Sequence, residues 1–122
     1  MKLEYNTANH LLINEFPEMK PLYYAEENYY HDLLYCFYEG EFVPYIMKQL
    51  RQGDKQTLEK IWRFVERLFA EGDDGLVNLA GVAIVESLYF EKDFDSLKEI
   101  IFSYCGELTK QSFIDCIEYV PA

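Results

Sequence analysis

The feature that most constrains this chain is the run 74–90. Leu76, Val77, Leu79, Ala80, Val82, Ala83, Ile84, Val85, Leu88, Tyr89 and Phe90 leave it almost no polar face. A helix that is apolar nearly all round belongs at the centre of a fold, packed by other helices. Val and Ile would also suit a strand, but the run is long for one and contains Ala80, Gly81 and Ala83. It is shorter than the roughly 20 residues of a membrane span, and Asn78, Glu86 and Ser87 interrupt it. The chain has 122 residues, half of them hydrophobic and 17% aromatic. That suffices for one core and predicts a single domain over 1–122.

The preceding segment supplies a partner for that helix. Leu58, Ile61, Trp62, Val65, Leu68 and Phe69 recur at helical spacing behind Asp54, a good N-cap. The opposite face carries Glu59, Lys60, Arg63, Glu66 and Arg67, with Glu59 and Arg63 spaced for an ion pair. Residues 7–16 read as a short helix stopped by Pro17, and 17–24 as a loop around Pro17 and Pro21. Tyr30, Leu33, Leu34 and Phe37 predict a helix over 25–39. Another is expected over 41–52, with Pro44 in its first turn. Two amphipathic helices over 95–105 and 109–119 end the chain, with Asp95 and Thr109 as expected N-caps. Gly40, Gly53, Gly72 and Gly106 each follow a helical run, where a left-handed C-terminal residue is expected.

The fold class is therefore all-α, with six or seven helices in antiparallel hairpins, as a HEAT-like stack or a bundle. Residues 63–73 also align with 83–93 at an offset of 20, matching Val65 to Val85, Glu66 to Glu86, Leu68 to Leu88, Glu71 to Glu91 and Asp73 to Asp93. A helix plus a turn has that length, so the match fits either a repeat or two helices sharing one period.

Chemistry-bearing motifs are sparse. His10 and His31 are isolated, and His31 is in poor helical registry with Cys36, so a Cys–His nucleophile is not signalled. Cys36, Cys105 and Cys116 are odd in number, without C-x-x-C, and in apolar contexts; buried reduced thiols are expected. Glu66 and Glu86 could act together as a general acid–base pair. The simpler expectation is that each binds an arginine, Arg63 or Arg67, or a backbone N–H, and fixes helix register. Asp73-Asp74-Gly75 and Asp93-Phe94-Asp95 look like fragments of calcium loops but lack the glycine and glutamate in register; helix capping accounts for them. No phosphate-binding glycine loop or histidine metal motif occurs, so neither enzyme nor cofactor nor metal is expected.

Charge is the remaining signal. Acids outnumber bases 22 to 11, a net charge of −11. Nucleic acid and anionic membrane surfaces are poor partners for such a chain. The N-terminus lacks an apolar signal segment, which predicts a cytoplasmic protein. Residues 15–41 hold seven acids and one base, interleaved with six tyrosines. Tyrosine next to carboxylate makes good binding surface, with large area per frozen torsion and long-range steering of a basic partner. The expected contact residues are Tyr23, Tyr24, Glu26, Glu27, Tyr30, Asp32, Glu39 and Glu41, with Asp73 and Asp74 second.

The stretch from Ile61 to Glu99 adds a resemblance. The amphipathic helix IWRFVERLFAEGDD, the apolar helix LVNLAGVAIVESL and the acidic turn after it are similar to small acidic all-α bacterial immunity proteins of contact-dependent and other polymorphic toxin systems. The resemblance rests on apolar positions with Glu66, Asn78 and Glu86 and covers about a third of the chain. It implies a binding protein that neutralises a cognate toxin, a nuclease with a basic cleft, by stoichiometric occlusion. The alternative is a helical-repeat adaptor or regulator with a non-toxin partner.

Overall fold

A computed structural model describes residues 2–120, apart from the side chain of Glu26. It is all-α, with seven helices. Helix α1 is Ala8–Glu15. Helix α2 spans 17–23, a 3-10 turn Pro17–Met19 running into Lys20–Tyr23, and a single turn Ala25–Asn28 follows. Helix α3 spans 34–52, α4 is Lys55–Glu71, α5 spans 74–89, α6 is Phe94–Tyr104 and α7 is Glu107–Tyr119. A short bridge pairs Leu3 with Gly72, through Leu3 N–H to the Glu71 carbonyl (2.7 Å) and Asp73 N–H to the Leu3 carbonyl (2.8 Å).

The centre of the fold is α4. Helices α3, α5, α6 and α7 all pack against it. Ile61, Trp62, Val65 and Leu68 are fully buried there, as the helical spacing predicts. Phe64 is buried as well, outside that stripe, because Phe16 and Phe42 pack on its ring with centroids 5.5 and 5.8 Å away. Phe69 stays half-buried. Helix α7 returns to α4 and α5, which makes the arrangement a bundle; an open stack would pack each hairpin on its neighbours only. The ion pairs on α4 also differ from the expected one: Glu59 meets Lys55 at 3.9 Å and Glu71 meets Arg67 at 3.1 Å.

Three sequence expectations fail for local physical reasons. The helices expected over 25–39 and 41–52 are replaced by one helix, α3, that starts at Leu34 and runs unbroken past Gly40. It does so through a wide π-turn, Tyr38–Phe42, where Val43 N–H bonds the Tyr38 carbonyl. The wider turn sits immediately before Pro44, which has no N–H to give. The expected loop 17–24 is helical, because Pro17 and Pro21 both fall in first turns, where the missing donor is not needed. Helix α5 is less enclosed than its composition suggests. Leu76, Leu79, Ala80, Ala83, Ile84 and Val85 are buried, but Val77 is 37% exposed and Gly81 and Val82 are half-exposed. Helix α5 carries its own π-turn, Ala80–Glu86, and packs it against that of α3.

The glycines are not left-handed; no glycine here has positive φ. Gly53, Gly72 and Gly106 are extended and are needed for close approach. A Cβ at Gly106 would lie 2.4 Å from the Glu66 carboxyl carbon, and one at Gly72 would lie 2.3 Å from the Leu68 carbonyl oxygen. At Gly81, inside α5, a Cβ would meet nothing nearer than the Ser112 hydroxyl oxygen at 4.0 Å. The two sites should therefore respond with opposite sign in chemical denaturation. Gly106→Ala should cost about 1–3 kcal/mol by collision with Glu66. Gly81→Ala should gain about 0.5–1 kcal/mol by stiffening the unfolded chain. Equal effects at both would contradict this reading of the glycines.

The offset-20 match holds position by position in burial. Val65 and Val85 are buried, Leu68 and Leu88 are buried, and Glu66 and Glu86 are half-buried. Both segments end at the residue preceding a new helix, Asp73 and Asp93.

Candidate functional site

The acids divide by what their oxygens do. Glu66, on α4, reaches the start of α7 and accepts from Leu108 N–H (3.1 Å), Thr109 N–H (2.9 Å) and the Thr109 hydroxyl (2.8 Å). These are two of the donors that a helix N-terminus leaves without intrahelical partners. The N-cap residue is Gly106, which has no side chain to satisfy them. Thr109, expected as the N-cap, lies inside the first turn and is fully buried. Glu66 thus binds backbone N–H groups, as the simpler sequence reading expects, while Arg67 is occupied by Glu71. Glu86 lines a different groove, between α5 and α7, so the structure does not bring the two carboxylates together.

Asp73 is used internally too. It accepts from Leu76 N–H (3.0 Å) as the N-cap of α5 and from Tyr5 N–H (3.0 Å), pinning the N-terminal segment. The same two backbone donors, Tyr5 first, hold its carboxyl below the usual range. Asp73, a second-rank expected contact residue, is half-exposed, with each oxygen accepting one bond within the fold. Asp74 is exposed. Asp93 precedes α6 without a side-chain cap and instead pairs with Arg51, whose hydrogen bond lowers its pKa. The expected cap Asp95 is the second residue of α6.

The expected contact residues of 23–41 separate into core and surface. Tyr23 is a correction, being 2% exposed and packed on Phe37 with ring centroids 5.2 Å apart. His10 and His31, far apart in sequence, flank its ring at 5.8 and 6.3 Å. Tyr30 is half-buried and donates to Glu41 at 2.7 Å, while its carbonyl accepts from the buried Asn9 amide at 3.0 Å. Tyr38 is fully buried and donates to the Ala8 carbonyl at 2.6 Å; burial pushes its pKa far up. Tyr24, Glu27, Asp32 and Glu39 are exposed. Glu26 falls outside the described side chains.

The exposed members all come from the segment 24–39. Tyr30 bonds Glu41 and lies against Gly40, so the loop 29–33 folds back on the π-turn of α3. Leu22, Tyr24, Tyr29 and Leu33 are exposed by 41, 55, 56 and 36%, a dense apolar set for twelve residues. Neither Tyr29 nor Leu33 is among the expected contact residues: Leu33 reads from its spacing as part of a helical face, and Tyr29 only as one of the six tyrosines of 15–41. The backbone between Tyr24 and Tyr29 is strained: Glu27 and Asn28 have φ of 56° and 64°, the left-handed region that a glutamate rarely enters. Such strain persists where surrounding structure enforces it, commonly at binding sites.

Cys36 is exposed, against expectation, while Cys105 is half-buried and Cys116 buried. Burial pushes the Cys105 thiol up to about 11 and the Cys116 thiol up as well. Among the described residues no helix is long and apolar enough to cross a membrane.

Fold and surface together define an acidic all-α domain with an exposed aromatic segment. The chain belongs to the family described as a domain of unknown function, DUF7674, whose model matches residues 9–119. No curated protein and no solved structure matches it.

Asp73 gives a pH prediction. Its pKa is lowered on folding, so its contribution is complete above the unfolded carboxylate value near 3.9 and is lost as pH falls through the folded value. Asp73→Ala should melt below wild type at neutral pH, and the gap should close as the pH falls below about 4. A gap independent of pH would contradict the ionic cap.

Proposed function

We propose that this domain binds a basic protein partner through its 22–41 segment and neutralises it non-covalently, as an immunity protein in the cytoplasm neutralises a cognate nuclease toxin. The observation that carries the binding reading is that Tyr24 and Tyr29 are more than half exposed in a segment whose Glu27, Asp32 and Glu39 are exposed as well. Exposed aromatic rings supply the area that anchors an interface, and carboxylates around them steer a cationic partner. Tyr24 packs edge-on against the buried Tyr23 (centroids 4.9 Å) and Tyr29 against the half-buried Tyr30 (5.1 Å), so each exposed ring rests on a less exposed one. Assignment of the partner as a toxin rests on the resemblance of residues 61–99 and on the net charge of −11. A protein of this charge would fill a basic cleft that otherwise takes nucleic acid.

The test is co-expression. The C-terminal domain encoded by the neighbouring gene should arrest growth alone, and this protein should restore growth and elute with it as a one-to-one complex. Tyr24→Ala with Tyr29→Ala should weaken that complex by roughly a hundredfold or more while the fold persists, as hot-spot rings do. Glu27→Gln with Asp32→Asn and Glu39→Gln should lower the association rate and flatten its salt dependence. Rescue with unaltered affinity in both variants would move the interface elsewhere. Absence of toxicity or of rescue would leave the adaptor reading.

A further inference from the structure

We propose that the groove between α5 and α7 is a second docking site, one that takes a basic amphipathic helix of a protein partner. The groove has a volume of about 430 Å³. Val77, Val82 and Leu108 supply apolar lining, Glu86 and Asp115 supply carboxylates, and among the described residues no lysine or arginine lines it. Val77 and Leu108 are 37 and 48% exposed, so this apolar surface is uncovered in the isolated chain. On α7, Leu108, Gln111, Ser112 and Asp115 follow the i, i+3, i+4, i+7 ridge of a helix. Two such ridges side by side leave a channel that accepts the ridge of a third helix.

Gly81 points to an occupant independently. It sits inside α5 and has open space where a Cβ would stand, nearest the Ser112 hydroxyl at 4.0 Å. The packing of this chain therefore does not require a glycine there, although glycine weakens a helix. What the missing side chain does provide is depth in the groove. The π-turn Ala80–Glu86 widens α5 at the same place, and such turns recur at functional sites.

Charge selects the class of occupant. Glu86 and Asp115 lie close enough to the buried Cys116 thiol to raise its pKa further after burial has done so, which marks a negative field at the groove. A second copy of a chain with net charge −11 would bring like charge to it. A partner helix with apolar residues on one face and lysine or arginine beside them satisfies both the lining and the carboxylates. None of the groove's lining residues belongs to 22–41, although Asn78 at its edge donates to the Tyr35 hydroxyl, and the proposal does not depend on the reading given to that surface.

The test uses a synthetic peptide of about 18 residues, five turns of a leucine–lysine amphipathic helix, with a scrambled peptide of the same composition as control. Calorimetry should show one site for the helix and at least roughly tenfold weaker binding of the scramble. Amide NMR shifts should centre on Gly81 and Ser112. Gly81→Leu and, from the opposite wall, Ser112→Leu should each reduce affinity by roughly tenfold or more with circular dichroism unchanged. Glu86→Gln with Asp115→Asn should reduce it at low salt, whereas Glu27→Gln with Glu39→Gln should leave it as it is. Equal binding of the scramble, no binding, shifts centred on 24–39, or a dimer that Gly81→Leu dissociates would overturn the proposal. Because two walls are filled separately, a folding defect in one variant leaves the other to decide.

Discussion

The carboxylate of Glu66 sets the arrangement of this bundle. A helix start leaves donors without partners, and Gly106 offers α7 no side-chain cap. Glu66 supplies the acceptor from the central helix, with both of its oxygens and the Thr109 hydroxyl engaged. Gly106 is glycine because the same carboxylate fills the space of its Cβ. Cap and glycine together fix where α7 begins on α4. That register lays α7 beside α5, with Phe113 on Trp62 (centroids 6.2 Å apart) and the groove along their seam. Asp73 does the same for α5, capping it and tying Leu3 and Tyr5 down at once.

The acidity of the chain thus has two components. Glu66 and Asp73 are structural acceptors whose charge faces helix starts, where the dipole favours it. Glu27, Asp32 and Glu39 stand in an exposed, aromatic and strained segment that the fold does not use. On the proposed reading, the 22–41 surface and the α5–α7 groove would each take a cationic protein.

Much of this was legible in the sequence, and the failures have physical causes. Periodicity placed α4 to α7 closely, and Trp62 and Val65 read correctly as core. Gly40 read as a stop because a glycine after a helical run usually is one; the π-turn that carries α3 through it has no local signature. Tyr23 and Tyr24 are adjacent and chemically identical, yet one is core and one is surface. That difference is set by where α2 ends, at Tyr23, and not by their spacing. The expectation that Glu66 binds either arginine or a backbone N–H was correct in its second half. Its actual partners lie 42 and 43 residues away, beyond any helical spacing.

The division between structural and surface acids can be read directly by carbodiimide labelling of carboxylates in the free, folded protein, resolved by mass spectrometry. The account predicts rapid modification of Glu27, Asp32 and Glu39, and slow modification of Glu66 and Asp73, whose oxygens are held by backbone donors. Glu66 reacting as fast as Glu27 would contradict it, because the cap that positions α7 would then not be formed.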